Sequence, residues 1–308
     1  MAQRRGSLDS SEGFPENASS SEIERRDGLS YRDFVKDYLD PHRPVILTDA
    51  LRDWRALSLW TPEFFKTRYG SMRVEIGKRS YTMGEFIDRV LASTVENPAP
   101  YFEGQRFCDL FPELLDDIFP VPPYLFPNWL DERYFPPQLE GQMHRGNELE
   151  IFIGGKGSGF FKLHYDYLYT HTFIMHVYGR KKFIVYSPDQ SPWMYAPRKG
   201  RDHSPVGDVE RPNLEKYPLF ARAVPTIFVL EPGETLFVPP GWWHTSRMLT
   251  PCISVAVNTA NASNWADVTK ELVYETRQER PGLAVLLGGW MRVLGGAKRL
   301  RDRIRGQR

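Results

Sequence analysis

From residue 148 onward the chain alternates apolar and polar positions in short runs with a period of two. These runs predict strands over 148–153, 172–178, 181–187, 227–230, 235–239 and 253–259. Strands at such regular spacing, bounded by turn residues, make the chain mainly β and suggest an antiparallel barrel or jelly roll. Tyr178-Gly179-Arg180 and Glu231-Pro232-Gly233-Glu234 each separate two runs and read as tight hairpin turns. The polar, proline-broken stretch 191–225 reads as a long excursion between strands.

Upstream the pattern is mixed. Phe34, Val35 and Leu39 fall on one helical stripe within 31–39, and 44–48 (PVILT) is a short buried strand. Phe64, Phe65 and Tyr69 mark a helix, 73–76 a strand, and 83–92 an amphipathic helix with Phe86, Val90 and Leu91 inward. Proline and aromatic residues crowd 98–137, which predicts packed irregular structure with short helices. After Asn264 the period returns to helical. Trp265, Val268, Leu272 and Val273 form one stripe, and a second apolar run, 283–294, is interrupted by Gly288 and Gly289.

The expected organisation is therefore a disordered tail at 1–28, an N-terminal α/β extension at 29–147, a barrel at 148–263 and a C-terminal helical segment at 264–308. The tail is polar and lacks the apolar run of a secretory leader. No stretch approaches the roughly 20 apolar residues of a membrane-spanning helix, so a soluble cytoplasmic protein is expected.

Composition changes this picture little. Hydrophobic residues make up 41% of the 308 positions and aromatic residues 14%, enough for a sizeable core, and 25 prolines with 24 glycines supply the turns. Forty basic residues against 39 acidic ones leave a formal charge of +1, which gives no surplus for a dedicated nucleic-acid surface. Cys108 and Cys252 lack C-x-x-C spacing and read as inert core thiols. The last twelve residues, AKRLRDRIRGQR, carry six bases and one acid and read as a solvated helix end, with an anionic partner or a membrane surface as the alternative.

The segment GFFKLHYDYLYTHTFIMHVYGRKKFIVYSP, beginning at Gly159, holds the chemistry. In an extended chain His164 and Asp166 point to one side and can present an imidazole and a carboxylate to one ion. The stretch GETLFVPPGWWHTS places His244 78 residues after Asp166, where barrel closure returns it opposite that pair. Two imidazoles and a carboxylate on one face of an octahedral ion leave three positions open, which suits Fe(II) better than zinc. His171 and His176 have opposite strand parity and read as core or surface histidines. Trp242 and Trp243 read as packing beside His244 or as substrate platforms, and Tyr165, Tyr167 and Tyr169 as candidates to line the cleft.

The elements HYD…YGRKKFIVYSP and GETLFVPPGWWH…ISVAVNT resemble the Jumonji-C, or cupin-like, 2-oxoglutarate oxygenases. The similarity is greatest to the asparaginyl hydroxylase of hypoxia-inducible factor and the Jumonji lysyl hydroxylases. It covers 148–260, with a weaker match upstream at RPVILTDALRDW. It implies a double-stranded β-helix with flanking helices, iron held by His164, Asp166 and His244, and 2-oxoglutarate and O2 as cosubstrates, with succinate and CO2 as coproducts. Lys181 falls on the lysine that pairs with the distal carboxylate of 2-oxoglutarate, a charge-assisted contact for a cation held inside a barrel. Lys182, of opposite parity, should face outward. Thr172, Asn258 and Tyr101 fall near positions that contact the cosubstrate or sit beside the metal. Phe161 stands where relatives often carry a threonine that contacts 2-oxoglutarate.

The reading that follows is a hydroxylase of a C–H bond on a protein or peptide side chain. A small-molecule hydroxylase of the same class and a non-catalytic cupin binding module are the alternatives. The two C-terminal helical segments offer a surface for a homodimer.

Overall fold

The computed structural model describes residues 22–130, 149–197 and 202–304. Thirteen strands are found among them: β1 (Arg25–Arg26), β2 (Val45–Leu47), β3 (Arg73–Ile76), β4 (Arg79–Thr82), β5 (Phe102–Arg106), β6 (Glu150–Gly154), β7 (Gly159–His164), β8 (His171–Tyr178), β9 (Lys181–Tyr186), β10 (Thr226–Leu230), β11 (Thr235–Val238), β12 (Trp243–Met248) and β13 (Cys252–Thr259). One sheet runs β1-β2-β11-β8-β13-β6-β5 and a second runs β10-β9-β12-β7, while β3 and β4 pair alone. All the pairings are antiparallel except β1 with β2.

The two larger sheets share an interior. Ile174, Leu236 and Ala256 from the first pack in one apolar cluster with Phe183, Val185, Phe228 and Leu230 from the second. Period-two alternation creates that layer, because every second residue of each strand must leave water. From β8 to β13 the chain crosses repeatedly between sheets. The expected hairpins at 178–180 and 231–234 are therefore corners: β8 and β9 lie in different sheets, as do β10 and β11. Gly179 serves its corner by a positive φ of +82° and by close approach, since a Cβ there would meet the Pro251 carbonyl oxygen at 1.9 Å.

The N-terminal segment covers the outer face of the first sheet. Phe34, Trp60, Phe65, Phe86 and Phe107 join Phe173, Met175, Phe237 and Val255 in the largest core cluster. Helices α1 (Tyr31–Phe34), α2 (Ala56–Leu59), α3 (Pro62–Tyr69), α4 (Met83–Leu91) and α5 (Phe107–Leu110) supply much of it. In α4 a capping box between Thr82 and Glu85 fixes the start. Leu91, expected inward, is exposed, and Ile87 takes its place beside Phe86 and Val90.

Two expected boundaries move. The polar stretch anticipated to be loose through Gly28 contributes β1, which lies parallel to β2, and Ile23 is buried; residues 1–21 lie outside the described ones. The large sheet also recruits β2 and β5 from the segment before residue 148, including a strand inside the stretch expected to be irregular. Residues 131–148 lie outside the described ones.

The excursion after β9 packs on the outer face of the second sheet, where Met194, Val206, Tyr217 and Phe220 meet Leu163, Ile184, Tyr186 and Trp243. Downstream, α6 (Trp265–Glu279) and α7 (Pro281–Ile304) form a helical hairpin over Trp129 and Leu168. The two glycines that interrupt the apolar run, Gly288 and Gly289, do not interrupt the helix. The helix runs through both, with Gly288 facing Val273 of α6. Cys252 is buried as expected, but Cys108 is exposed.

Candidate metal centre

His164 closes β7, and its register partner across β12 is His244. The pairing is tight at the start of β7, where a Cβ on Gly159 would meet the Ser246 carbonyl oxygen at 2.1 Å. On the other edge of β7, Ser204 N donates to the Leu163 carbonyl at 2.8 Å and Tyr165 N to the Asp202 carbonyl at 3.0 Å. The ligand-bearing strand end is thus held from both sides. Asp166 follows in an extended conformation and caps a short turn, Tyr167–Tyr169.

The three residues converge. One potential ligand atom from each of His164, Asp166 and His244 lies within 4.8 Å of the others. His244 Nε2 stands 3.7 Å from Asp166 Oδ2, and the two imidazole centroids are 4.3 Å apart. Both tautomers follow from the backbone. His164 Nδ1 lies 2.9 Å from the Lys162 carbonyl and His244 Nδ1 lies 3.0 Å from the Trp242 carbonyl. A carbonyl only accepts, so both Nδ1 atoms carry the proton and both Nε2 lone pairs are left for an electrophile. Burial, with the neighbouring His244 and His203 adding to it, holds the His164 pKa well below the usual histidine range, so this ring is neutral near pH 7. Two neutral imidazole nitrogens and a carboxylate around one point are a donor set for a divalent cation.

The triad opens into a cavity of about 290 Å³ whose lining includes Lys181. Lys181 is only 4% exposed, and burial lowers its pKa to about 8. Its Nζ donates to Tyr101 Oη at 3.3 Å and sits 5.2 Å from the Phe183 ring centroid and 5.7 Å from that of Phe152. Among the described residues no carboxylate forms an ion pair with it. Glu103, on the same cavity, acts on this cation electrostatically without forming an ion pair with it, and burial remains the larger influence, so an anion entering the cavity would recover part of the cost of burying the charge.

Thr172, Asn258 and Tyr101 line the same cavity, and Thr172 Oγ1 donates to Asn258 Oδ1 at 2.7 Å. Lys182 points to the opposite sheet face, where it pairs with Glu210. His176 is a core residue between Ser254 and the Gly179 carbonyl, with its pKa lowered by burial to about 3, and His171 is buried against Ser263. Trp242 packs against the cluster between the two sheets and Trp243 in the cluster on the outer face of the second sheet, their indole N–H groups donating to the His42 carbonyl and to Ser191 Oγ, and neither lines the cavity. Tyr165, Tyr167 and Tyr169 do not line the cavity; Tyr165 instead packs edge-on against Trp243. Phe161 also stands apart from it, on the outer face under Arg247, so its bulk does not intrude on the triad.

Strand parity carried more information than the expected set used. Ile174 is two residues from Thr172, Phe183 two from Lys181, Ala256 two from Asn258 and Ser246 two from His244, and all four line the cavity. Glu103 and Glu150 line it too, and burial raises the Glu103 pKa. His203 escaped notice because it lies in the excursion; its ring stacks on His164 with centroids 5.7 Å apart.

A model of the cupin-like domain family matches residues 31–260. The chain is 28% identical over 273 residues to the arginine-specific demethylase JMJ20 of Arabidopsis thaliana, covering 79% of this chain and 58% of that protein. It is 29% identical over 254 residues to lysine-specific demethylase 8 of Danio rerio, covering 77% and 58%. The 2-oxoglutarate and iron-dependent oxygenase JMJD4 of Gallus gallus is 24% identical over 288 residues, covering 83% and 65%. The matched region thus spans little more than half the length of either demethylase.

Proposed function

The chain belongs to the cupin-like domain family, and from that membership and the geometry of the cavity we propose that it is an Fe(II)- and 2-oxoglutarate-dependent oxygenase acting on a C–H bond of a protein side chain. The observation that carries this reading is the placement of two imidazole nitrogens with free lone pairs, one carboxylate and one buried lysine around a single cavity. The paired sheets around it are read as the double-stranded β-helix, with 149–263 as its centre.

Iron with 2-oxoglutarate and O2 would supply the oxidising power for an unactivated C–H bond. The chain's own residues do the rest. His164, Asp166 and His244 would hold the metal by one face and leave the other open. Lys181 would bind the distal carboxylate of the cosubstrate, with Tyr101 Oη placed to join that contact. Thr172 and Asn258, bonded to each other, present a fixed polar wall. Phe152, Ile174 and Phe183 keep water from the cavity floor.

The class of side chain follows from the acids of the cavity lining. Two of the relatives are named for arginine and lysine. Here Glu103 and Glu150 line the cavity, which favours a cationic side chain as the substrate. Hydroxylation and N-demethylation begin with the same C–H oxidation, and both remain within the proposal.

The test is an anaerobic titration with Fe(II) and 2-oxoglutarate followed by O2, with succinate measured. The expected result is a visible absorption band on mixing all three and succinate formation that is stimulated by basic peptides. No band and no succinate would overturn the reading.

A further inference from the structure

A second concavity adjoins the one that holds the triad. It measures about 380 Å³, and Ile76, Pro98, Ala99, Pro100 and Phe161 give it a largely apolar lining. Tyr101, Glu103 and Phe160 line both cavities, so the two share a wall. That wall is thin. On its triad side the Phe160 ring centroid lies 4.3 Å from that of His164, and Tyr101 Oη accepts from Lys181 Nζ at 3.3 Å. An occupant of the second cavity is therefore one side chain away from a metal-binding histidine and from the buried lysine.

Phe161 reaches this cavity because β7 departs from regular pairing. β7 ends the second sheet, and between the register pairs His164–His244 and Phe160–Ser246 it runs four residues against two of β12. Such a bulge re-aims side chains. Phe161 and Lys162 turn outward between Phe160, which meets the triad cavity, and the buried Leu163. Arg247 stands 5.3 Å from the Phe161 ring centroid and steadies the ring, yet 43% of this residue stays exposed. A single exposed phenylalanine is ordinary on a surface. This one lines a concavity with two rigid prolines and an isoleucine, continuous with the triad cavity.

We propose that this concavity is a substrate subsite, which receives an apolar side chain of the polypeptide whose cationic residue enters the triad cavity, with Phe161 as its main specificity determinant. The proposal rests on the oxygenase reading above. A small molecule held in the triad cavity has no use for a second, larger one across a shared wall. An extended polypeptide does, because its residues i and i+2 point to the same side, roughly 7 Å apart. That spacing suits a wall one side chain thick, so the apolar residue stands two positions from the target. Charge sorts the two side chains. Glu103 and Glu150 both line the triad cavity, whereas in the second cavity Glu103 is offset by Lys162, which leaves a site for a neutral group.

The experiment measures fluorescence anisotropy of short labelled peptides on the full chain, held anaerobic with Fe(II) and 2-oxoglutarate. Each peptide carries a central lysine or arginine in a serine-glycine background, with leucine or serine at one flanking position. The expected result is roughly tenfold tighter binding with leucine two residues from the centre on one side, the value of a partly buried leucine. Phe161→Ser should bring that ratio close to one at unchanged circular dichroism, and Phe161→Leu should keep most of it. Binding without a flank preference overturns the subsite, as does a preference that survives Phe161→Ser. A preference at another position alone overturns the two-residue spacing. Failure of every peptide to bind also overturns the proposal and points to a small-molecule substrate. Succinate formed by the unaltered chain once O2 is admitted is a separate readout. Its absence counts against the oxygenase reading, whereas the flank preference is a binding ratio read without turnover.

Discussion

His164 and His244 are register partners across β7 and β12, with ring centroids 4.3 Å apart and both Nδ1 protons committed to backbone carbonyls. Strand pairing sets the spacing, and the carbonyls of Lys162 and Trp242 set the tautomers, so the site is assembled before any metal arrives. Replacing either imidazole by alanine should therefore lower Fe(II) affinity by more than about 100-fold, beyond the loss typical of a supporting partner. The fold should persist, because neither ring fills the main core clusters. Calorimetric titration with Fe(II), paired with circular dichroism, measures both; undiminished affinity in His244→Ala would remove it from the ligand set.

Lys181 separates cosubstrate binding from metal binding. Lys181→Ala should weaken 2-oxoglutarate by roughly 10- to 150-fold, the value of a hydrogen bond to a charged group, and leave Fe(II) affinity nearly unchanged. Lys181→Met should also raise the melting temperature of the chain without cosubstrate, because it removes a buried cation whose burial outweighs the attraction of Glu103. A stable variant that no longer binds 2-oxoglutarate is the expected pair of readouts. Equal loss of metal and cosubstrate would assign Lys181 a structural role.

The same lysine sets a pH dependence. Its pKa in the free chain is about 8, lowered chiefly by burial, so it is cationic below that pH and increasingly neutral above it. An entering carboxylate favours the charged form and raises the pKa. Binding should therefore take up a proton above pH 8, and affinity should fall by up to about tenfold per pH unit there, while changing little between pH 6 and 7.5. Calorimetry in buffers of different ionisation enthalpy counts the protons. An affinity flat to pH 10 would contradict the assignment.

Much of this site was legible in the sequence, and the gaps have physical causes. The H-x-D pair and the distant histidine announce themselves by residue type and parity, whereas Lys181 is singled out by the family resemblance. The two strands that carry the histidines did not. In β7 Phe160, Phe161 and Leu163 break simple alternation: Phe160 meets the cavity, Leu163 packs under the excursion, and Phe161 and Lys162 between them are exposed. In β12 the run WHTSRM looks polar, yet Thr245 and Ser246 are buried, with Thr245 Oγ1 donating to the Phe160 carbonyl at 2.5 Å. Period-two rules find strands with one regularly wet face and pass over a strand such as β12 that is buried on both faces or one such as β7 whose burial is irregular. The glycine corners were recognised as turns but not as crossings between sheets, since turn chemistry reports local backbone and not the partner of the next strand.

Glu210 ties the excursion to the second sheet, and through it to the metal site. Its carboxylate pairs with Lys182 of β9, and Arg247 Nε of β12 stands 3.1 Å away, all three side chains being less than a quarter exposed. Asp208 adds a longer contact to Arg247 at 3.5 Å. Glu210→Ala would leave two half-buried cations facing each other with that single remaining acid. Partial exposure places the cost below that of a fully buried pair, at about 2 kcal/mol, or a melting temperature lower by roughly 5 °C. The loss should be local first. The segment holding His203 against His164, and donating Ser204 N to Leu163, lies only a few residues upstream and depends on this anchor for its position. Hydrogen exchange should accordingly rise across 202–210 before it rises in β9 or β12, and metal affinity should fall by a few-fold only. Uniform exchange across the whole second sheet would mean that the carboxylate stabilises the barrel as a unit and does not act as a local anchor for the excursion.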